Sequence, residues 1–297
     1  MEVPLQRDQK KHMDPNELSR TILARRAEQA ARERRSPPDD VRIGTLLSTV
    51  MDGACWRGQN AFPSSQLFSD EVERVLAFAL AQDRFAVYLP RLRGRWNQFE
   101  SALAELRVAF YLHRNQFRIN KWDPPGGRGV RGEGEFSVGG PSGVLVFVEV
   151  KSPGWEGEVS EEERRAGRLE QPKHLYCEGR AVAPWRVVQS AVEKAYKKFR
   201  SDAPNLLIVA DDLFVSLQHG TDMEAGLALF EPRTNGCFCE RRYENLGGLG
   251  MFWIEQNGRQ IWYAMRLYLN PHALPRCAVP EDMSRAFFAQ GSTSPGY

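Results

Sequence analysis

The spacing of apolar positions along this chain changes more than once. From about residue 41 to 116 they recur at helical intervals, and from 117 to 151 they gather into short runs. In SDEVERVLAFALAQ, residues 69–82, Val72, Val75, Leu76, Ala79 and Leu80 make one stripe. Ser69 stands where an N-cap belongs, with acidic residues in the first turn. A second helix is predicted over NQFESALAELRVAFYLHRNQ, 97–116, with Asn97 as N-cap and Glu100 three residues later. Phe99, Leu103, Leu106 and Phe110 stack on one face of it. Glu105 shares its side with Ala102, Ala109 and Leu112, so it is expected at the border of the buried face.

The period then shortens. FRINKW (117–122) reads as a strand, PPGGRGVRG (124–132) as a loop, EGEFSV (133–138) as an alternating strand and GGPSG (139–143) as a turn. VLVFVEVK (144–151) is a third strand, and a charged insertion occupies 154–174. APWRVVQSAVEKAYKKFRS (183–201) is a strong amphipathic helix, with Trp185, Val188, Val192, Ala195 and Phe199 inward. NLLIVA (205–210) is a buried strand, and Asn257-Gly258 between two aromatic-rich runs signals a two-residue hairpin. A helix, three meandering strands, a crossover helix and another strand predict an α/β fold. Its central sheet is mixed, with helices on both faces.

The 297 residues suit one large domain or a core with added elements. The division expected is a charged, flexible arm at 1–40, a helical region at 41–95, a core at 96–215 and a C-terminal extension with the hairpin at 216–297. The formal net charge of +2 neither requires nor excludes a nucleic-acid partner, since local patches decide that. No apolar run is long enough to span a bilayer and no leader pattern opens the chain, so a cytoplasmic location and no membrane partner are expected. Five scattered cysteines argue against a disulfide framework.

The chemistry gathers at VLVFVEVKSPGW, 144–155. Side chains alternate across a strand, so Leu145, Phe147, Glu149 and Lys151 share one face and Val144, Val146, Val148 and Val150 the other. A carboxylate and an ammonium thus emerge together where the core opens. If the preceding strand pairs through the 139–143 turn, Glu135 can reach the neighbourhood of Glu149, depending on register. Two converging carboxylates suit Mg²⁺ or Mn²⁺, hard cations that prefer oxygen ligands. A lysine one strand-step away suits a role in orienting water or stabilising charge. The plainer reading of Glu149 and Lys151 is a cross-strand ion pair at a strand end.

Glu135 followed by VFVEVK, with FESALAELRVAFYL before it and VVQSAVEKAYKKF and NLLIVAD after it, resembles the PD-(D/E)XK nuclease superfamily over roughly residues 97–210. The resemblance implies a restriction-endonuclease-like core. It also implies divalent-metal-dependent hydrolysis of phosphodiester bonds in nucleic acid, with DNA as the leading substrate. It places metal ligation on Glu135 and Glu149, the catalytic lysine on Lys151, and the family's helix glutamate on Glu105. Gln189 matches a glutamine that some members carry on the helix after the motif. The family's upstream acid is usually an aspartate after a proline, whereas Glu135 stands in GEGEF; Glu133 and Asp123 are the alternatives. Lys194 and Lys198, with Lys197 and Arg200, form a basic helix end suited to a phosphate backbone or to a solvated face. RLRGRW, 91–96, is a second basic cluster. Cys237, Cys239, Cys277 and His219 match no strong zinc spacing and read as free thiols and a lone histidine. The competing function is a catalytically inactive protein of this fold. It would bind nucleic acid, or a protein partner through residues 1–40 or the C-terminal region.

Overall fold

Six strands lie in chain order across one sheet: β1 (Arg118–Trp122), β2 (Phe136–Gly139), β3 (Leu145–Lys151), β4 (Asn205–Asp211), β5 (Gly248–Asn257) and β6 (Gln260–Leu269). The computed structural model describes residues 41–52, 66–94, 96–126, 134–152, 184–211, 225–257 and 260–291. The 1–40 arm, the 154–174 insertion, Glu133 and His219 lie outside these residues. β1, β2 and β3 meander antiparallel, β3–β4 and β4–β5 are parallel, and β5–β6 is antiparallel. The mixed sheet predicted from the sequence is therefore present. Gly143, at φ +74°, closes the β2–β3 turn by donating its N–H to the Gly140 carbonyl at 3.0 Å. A parallel β3–β4 pair needs a crossover, and helix α5 (Pro184–Tyr196) lies within it.

Each sheet face is covered, which is what buried parallel strands require. Val146, Val148, Val150, Leu206, Ile208 and Ala210 pack with Ala104, Val108, Ala109 and Leu112 of helix α4 (Trp96–Arg114). Phe147, Leu207 and Val209 pack on the opposite face with Val188, Val192 and Ala195 of α5. Alternation along β3 and β4 sorts these residues between the two cores. A third cluster joins α4 to helices α1 (Thr45–Met51), α2 (Gln66–Ala81) and α3 (Phe85–Leu92). Helix α6 (Glu281–Gly291) sends Met283 and Phe287 into the α4 side. No helix among the described residues is long and apolar enough to cross a membrane.

Several sequence expectations shift in detail. α2 begins at Gln66, so Ser69 lies inside it, where its buried hydroxyl donates to the Arg42 carbonyl at 2.7 Å instead of capping. Leu80 is 53% exposed, leaving Val72, Val75, Leu76 and Ala79 as the buried stripe. α4 begins at Trp96, one residue ahead of Asn97, the expected cap. α5 ends at Tyr196, so Lys197 and Lys198 stand in the turn beyond it, and Arg200 is paired with Asp202 at 2.7 Å. Asn257, expected in the turn, instead ends β5 and pairs with Gln260 at the start of β6. The hairpin also continues the main sheet through β4.

Candidate active site

The end of β3 delivers two charged groups to the α5 face of the sheet. Glu149 is fully buried, an expensive place for a carboxylate unless it is paired. Its Oε1 accepts a hydrogen bond from Lys151 Nζ and another from Lys198 Nζ at 2.7 Å. Lys198 comes from the turn after α5, which the crossover brings back beside β3. The same ammonium lies 3.8 Å from Glu135 Oε1, so one cation sits between the two acids. Glu135 immediately precedes β2, and its N–H donates to the Val148 carbonyl at 3.2 Å. Carrying the Phe136–Val148 pairing one step further sets Glu135 opposite Glu149.

This crowding perturbs Glu135. Burial, then the charges of Glu105 and Glu149, push Glu135 up to about 8, against the opposing pull of Lys198 and Lys151. Burial disfavours the Lys198 ammonium, but the hydrogen bond to Glu149 and the charges of Glu149, Glu135 and Glu105 outweigh it and raise its pKa. Glu135 therefore keeps its proton in the folded metal-free protein at pH values where an unfolded chain, with an ordinary value near 4.5, has lost it. The folded state then binds more protons, so stability is fullest below the ordinary value and is lost as pH rises through about 8. Thermal unfolding of the metal-free protein should show this decline, and Glu135→Gln should flatten it; an unchanged slope in the variant contradicts the assignment. A cation binding to ionised Glu135 must displace that proton. Mn²⁺ affinity is accordingly expected to rise about tenfold per pH unit below this pKa and to level off above it, as calorimetric titrations at several pH values would show.

Helix α4 places Glu105 deeper than expected: it is fully inside the protein, not at the border. Both its oxygens are held by the Arg91 guanidinium, Nη1 donating to Oε2 at 2.6 Å and Nη2 to Oε1, while Ser101 Oγ donates to Oε1 at 3.2 Å. Glu105 acts on Glu135 through its charge. Arg91 and the buried Tyr88 come from α3, with the guanidinium 5.4 Å from the Tyr88 ring centre. The RLRGRW cluster was the only signal of this in the sequence, and it named no partner. Asp123 is paired with Arg84, whose guanidinium lies 5.2 Å from the Trp122 ring centre.

Two other candidates have different surroundings. Gln189 Nε2 donates to the carbonyls of Thr234 at 3.0 Å and Ala228 at 3.3 Å, tying α5 to the 225–235 segment. Lys194 lines an open cavity of about 460 Å³ with Glu193, Tyr196, Lys197, Arg242 and Tyr243. Cys237 and Cys277 are buried free thiols and Cys239 is partly buried.

The donor chemistry fits a hard divalent cation. Glu149 Oε2 is buried without a hydrogen-bond partner, a cost that proteins rarely carry at a structural position. Beside it stands a second carboxyl group whose proton a cation would replace. Among the described residues no group of three or more His, Cys, Asp or Glu is gathered as a metal cluster. Mg²⁺ commonly takes only one or two carboxylates and fills its octahedron with water and phosphate. A two-carboxylate site is consistent with both observations.

No family model and no curated protein matches the chain. Among solved structures, SfsA from Pyrococcus furiosus, determined in complex with Ca²⁺, is similar at a TM-score of 0.20 and 13% identity. The match covers 56% of this chain and 59% of that one.

Proposed function

We propose that the chain is a Mg²⁺- or Mn²⁺-dependent hydrolase of phosphodiester bonds in nucleic acid, with DNA as the first substrate to test. This reading takes the order of elements over residues 97–210 as that of the PD-(D/E)XK nuclease superfamily. The observation that carries it is the unpartnered Glu149 Oε2, buried beside Glu135 and next to two ammonium groups. Glu149 and Glu135 hold the cation. When bound, it makes water easier to deprotonate and offsets charge on the phosphodiester. Lys151, fixed by its bond to Glu149 Oε1, orients the attacking water and donates to it. Lys198, partly exposed, faces the charge that grows on the phosphate oxygens.

A second reading rests on a different observation. Lys151 and Lys198 already neutralise Glu149 Oε1, so the group is also a self-contained ion network. A protein of this fold that binds nucleic acid or a protein partner without cutting would have that need. Incubation with supercoiled plasmid, single-stranded DNA and RNA in Mg²⁺, Mn²⁺ or EDTA separates the two. Cleavage that EDTA stops supports the hydrolase. Salt-sensitive binding with no cleavage in either metal supports the second reading.

A further inference from the structure

We propose that Arg91, held on Glu105 by the N-terminal helices, is a binding residue for a phosphate of the nucleic-acid strand at this site. The proposal rests on the nucleic-acid reading above, and not on hydrolysis. Its first support is geometry. The Arg91 side chain is 40% exposed while its partner Glu105 is 4% exposed, so the pair has one end fixed inside the protein and the other open to solvent. Nη1 and Nη2 grip the carboxylate, and Nη2 also donates to Ser101 Oγ at 3.3 Å. That leaves Nε–H and one Nη1–H without a described partner. The guanidinium is stacked near Tyr88 and pinned in orientation, so little side-chain freedom is lost when an anion arrives.

The second support is charge. The site holds three carboxylates (Glu105, Glu135 and Glu149) and three cations (Arg91, Lys151 and Lys198) within electrostatic reach of Glu135 or in direct contact with one another. These balance formally. Lys151 and Lys198 are both committed to Glu149. Arg91 is the cation bound to a different acid, Glu105, so it extends the positive surface beyond the metal ligands. A planar guanidinium recognises phosphate oxygens well.

Binding of a short fluorescent single-stranded oligonucleotide in EDTA tests this without metal or turnover. The double variant Arg91→Met with Glu105→Gln keeps the local charge balance and leaves no buried ion behind. It is expected to bind about tenfold more weakly, with the slope of log affinity against log salt reduced by about 0.7, one phosphate contact. Arg91→Lys keeps the charge without the fork and should fall between the wild type and the double variant. Unchanged affinity and slope in the folded double variant overturn the proposal, as does a wild type that does not bind the oligonucleotide. Should the double variant not fold, unchanged affinity in Arg91→Lys overturns it. Failure of the hydrolase reading looks different: the oligonucleotide is bound through Arg91 and is not cut when metal is added.

Discussion

Glu149→Ala is expected to lower metal-dependent phosphodiester cleavage by about a thousandfold. A cation acting as a Lewis acid supplies several kcal/mol to a phosphoryl transition state, and each ~1.4 kcal/mol is tenfold in rate. Glu149 carries the one buried carboxylate oxygen among the described residues that lacks a partner, so its loss removes the strongest candidate ligand. Lys151→Ala should cost about 10²–10³-fold, the scale for removing one positioned donor. The two variants should differ in kind. Raising Mn²⁺ should recover part of the activity only where a ligand is weakened, as in the milder Glu149→Gln. Lys151→Ala should keep its metal affinity and lose turnover. Plasmid cleavage followed over a metal series reads both. Full activity in either alanine variant removes that residue from the site.

Arg107→Ala is expected to destabilise the fold by about 3–5 kcal/mol, the usual cost of removing one partner from a buried ion pair. Arg107 and Glu71 are both nearly inaccessible. Arg107 Nε donates to Glu71 Oε1 at 2.8 Å and Nη2 to Oε2 at 2.6 Å, and the Tyr263 hydroxyl donates to Oε1 as well. These bonds join α2, α4 and β6, three elements far apart in sequence. Truncating Arg107 leaves the buried Glu71 carboxylate without its cation, with the Tyr263 hydroxyl still donating to it. Replacing both ions, as in Arg107→Met with Glu71→Leu, should recover much of the loss, because the desolvation cost of both charges disappears. Denaturant unfolding measures each value. A loss below about 1 kcal/mol for Arg107→Ala, the range of exposed pairs, would contradict this account.

The same network shows where sequence reading stops. Glu71 looks like an ordinary acid near a helix start, and its partner is 36 residues away. Only tertiary packing joins them, and local periodicity carries no record of that. Glu105 and Arg91 are a similar case across 14 residues and a helix–helix turn. By contrast, the placing of Glu149 and Lys151 on one face follows from the two-residue period of a strand, and the antiparallel β2–β3 pairing, though not its register, follows from a short turn. Those features were legible because the geometry that sets them is local. Lys198 was readable as a basic helix end, yet its place between Glu135 and Glu149 depends on the crossover returning beside β3. Ser69 and Leu80 misled for a related reason. Both fit the pattern of their own helix, but the start of α2 and the neighbours it meets decide which residues cap and which are buried.

Saturation of the purified chain with Mn²⁺, followed by electron paramagnetic resonance, addresses the site most directly. One ion per chain is expected in the wild type and in Lys151→Ala, and none at the same concentration in Glu149→Ala. Absence of saturable binding in the wild type, or binding that survives Glu149→Ala unchanged, would contradict that expectation.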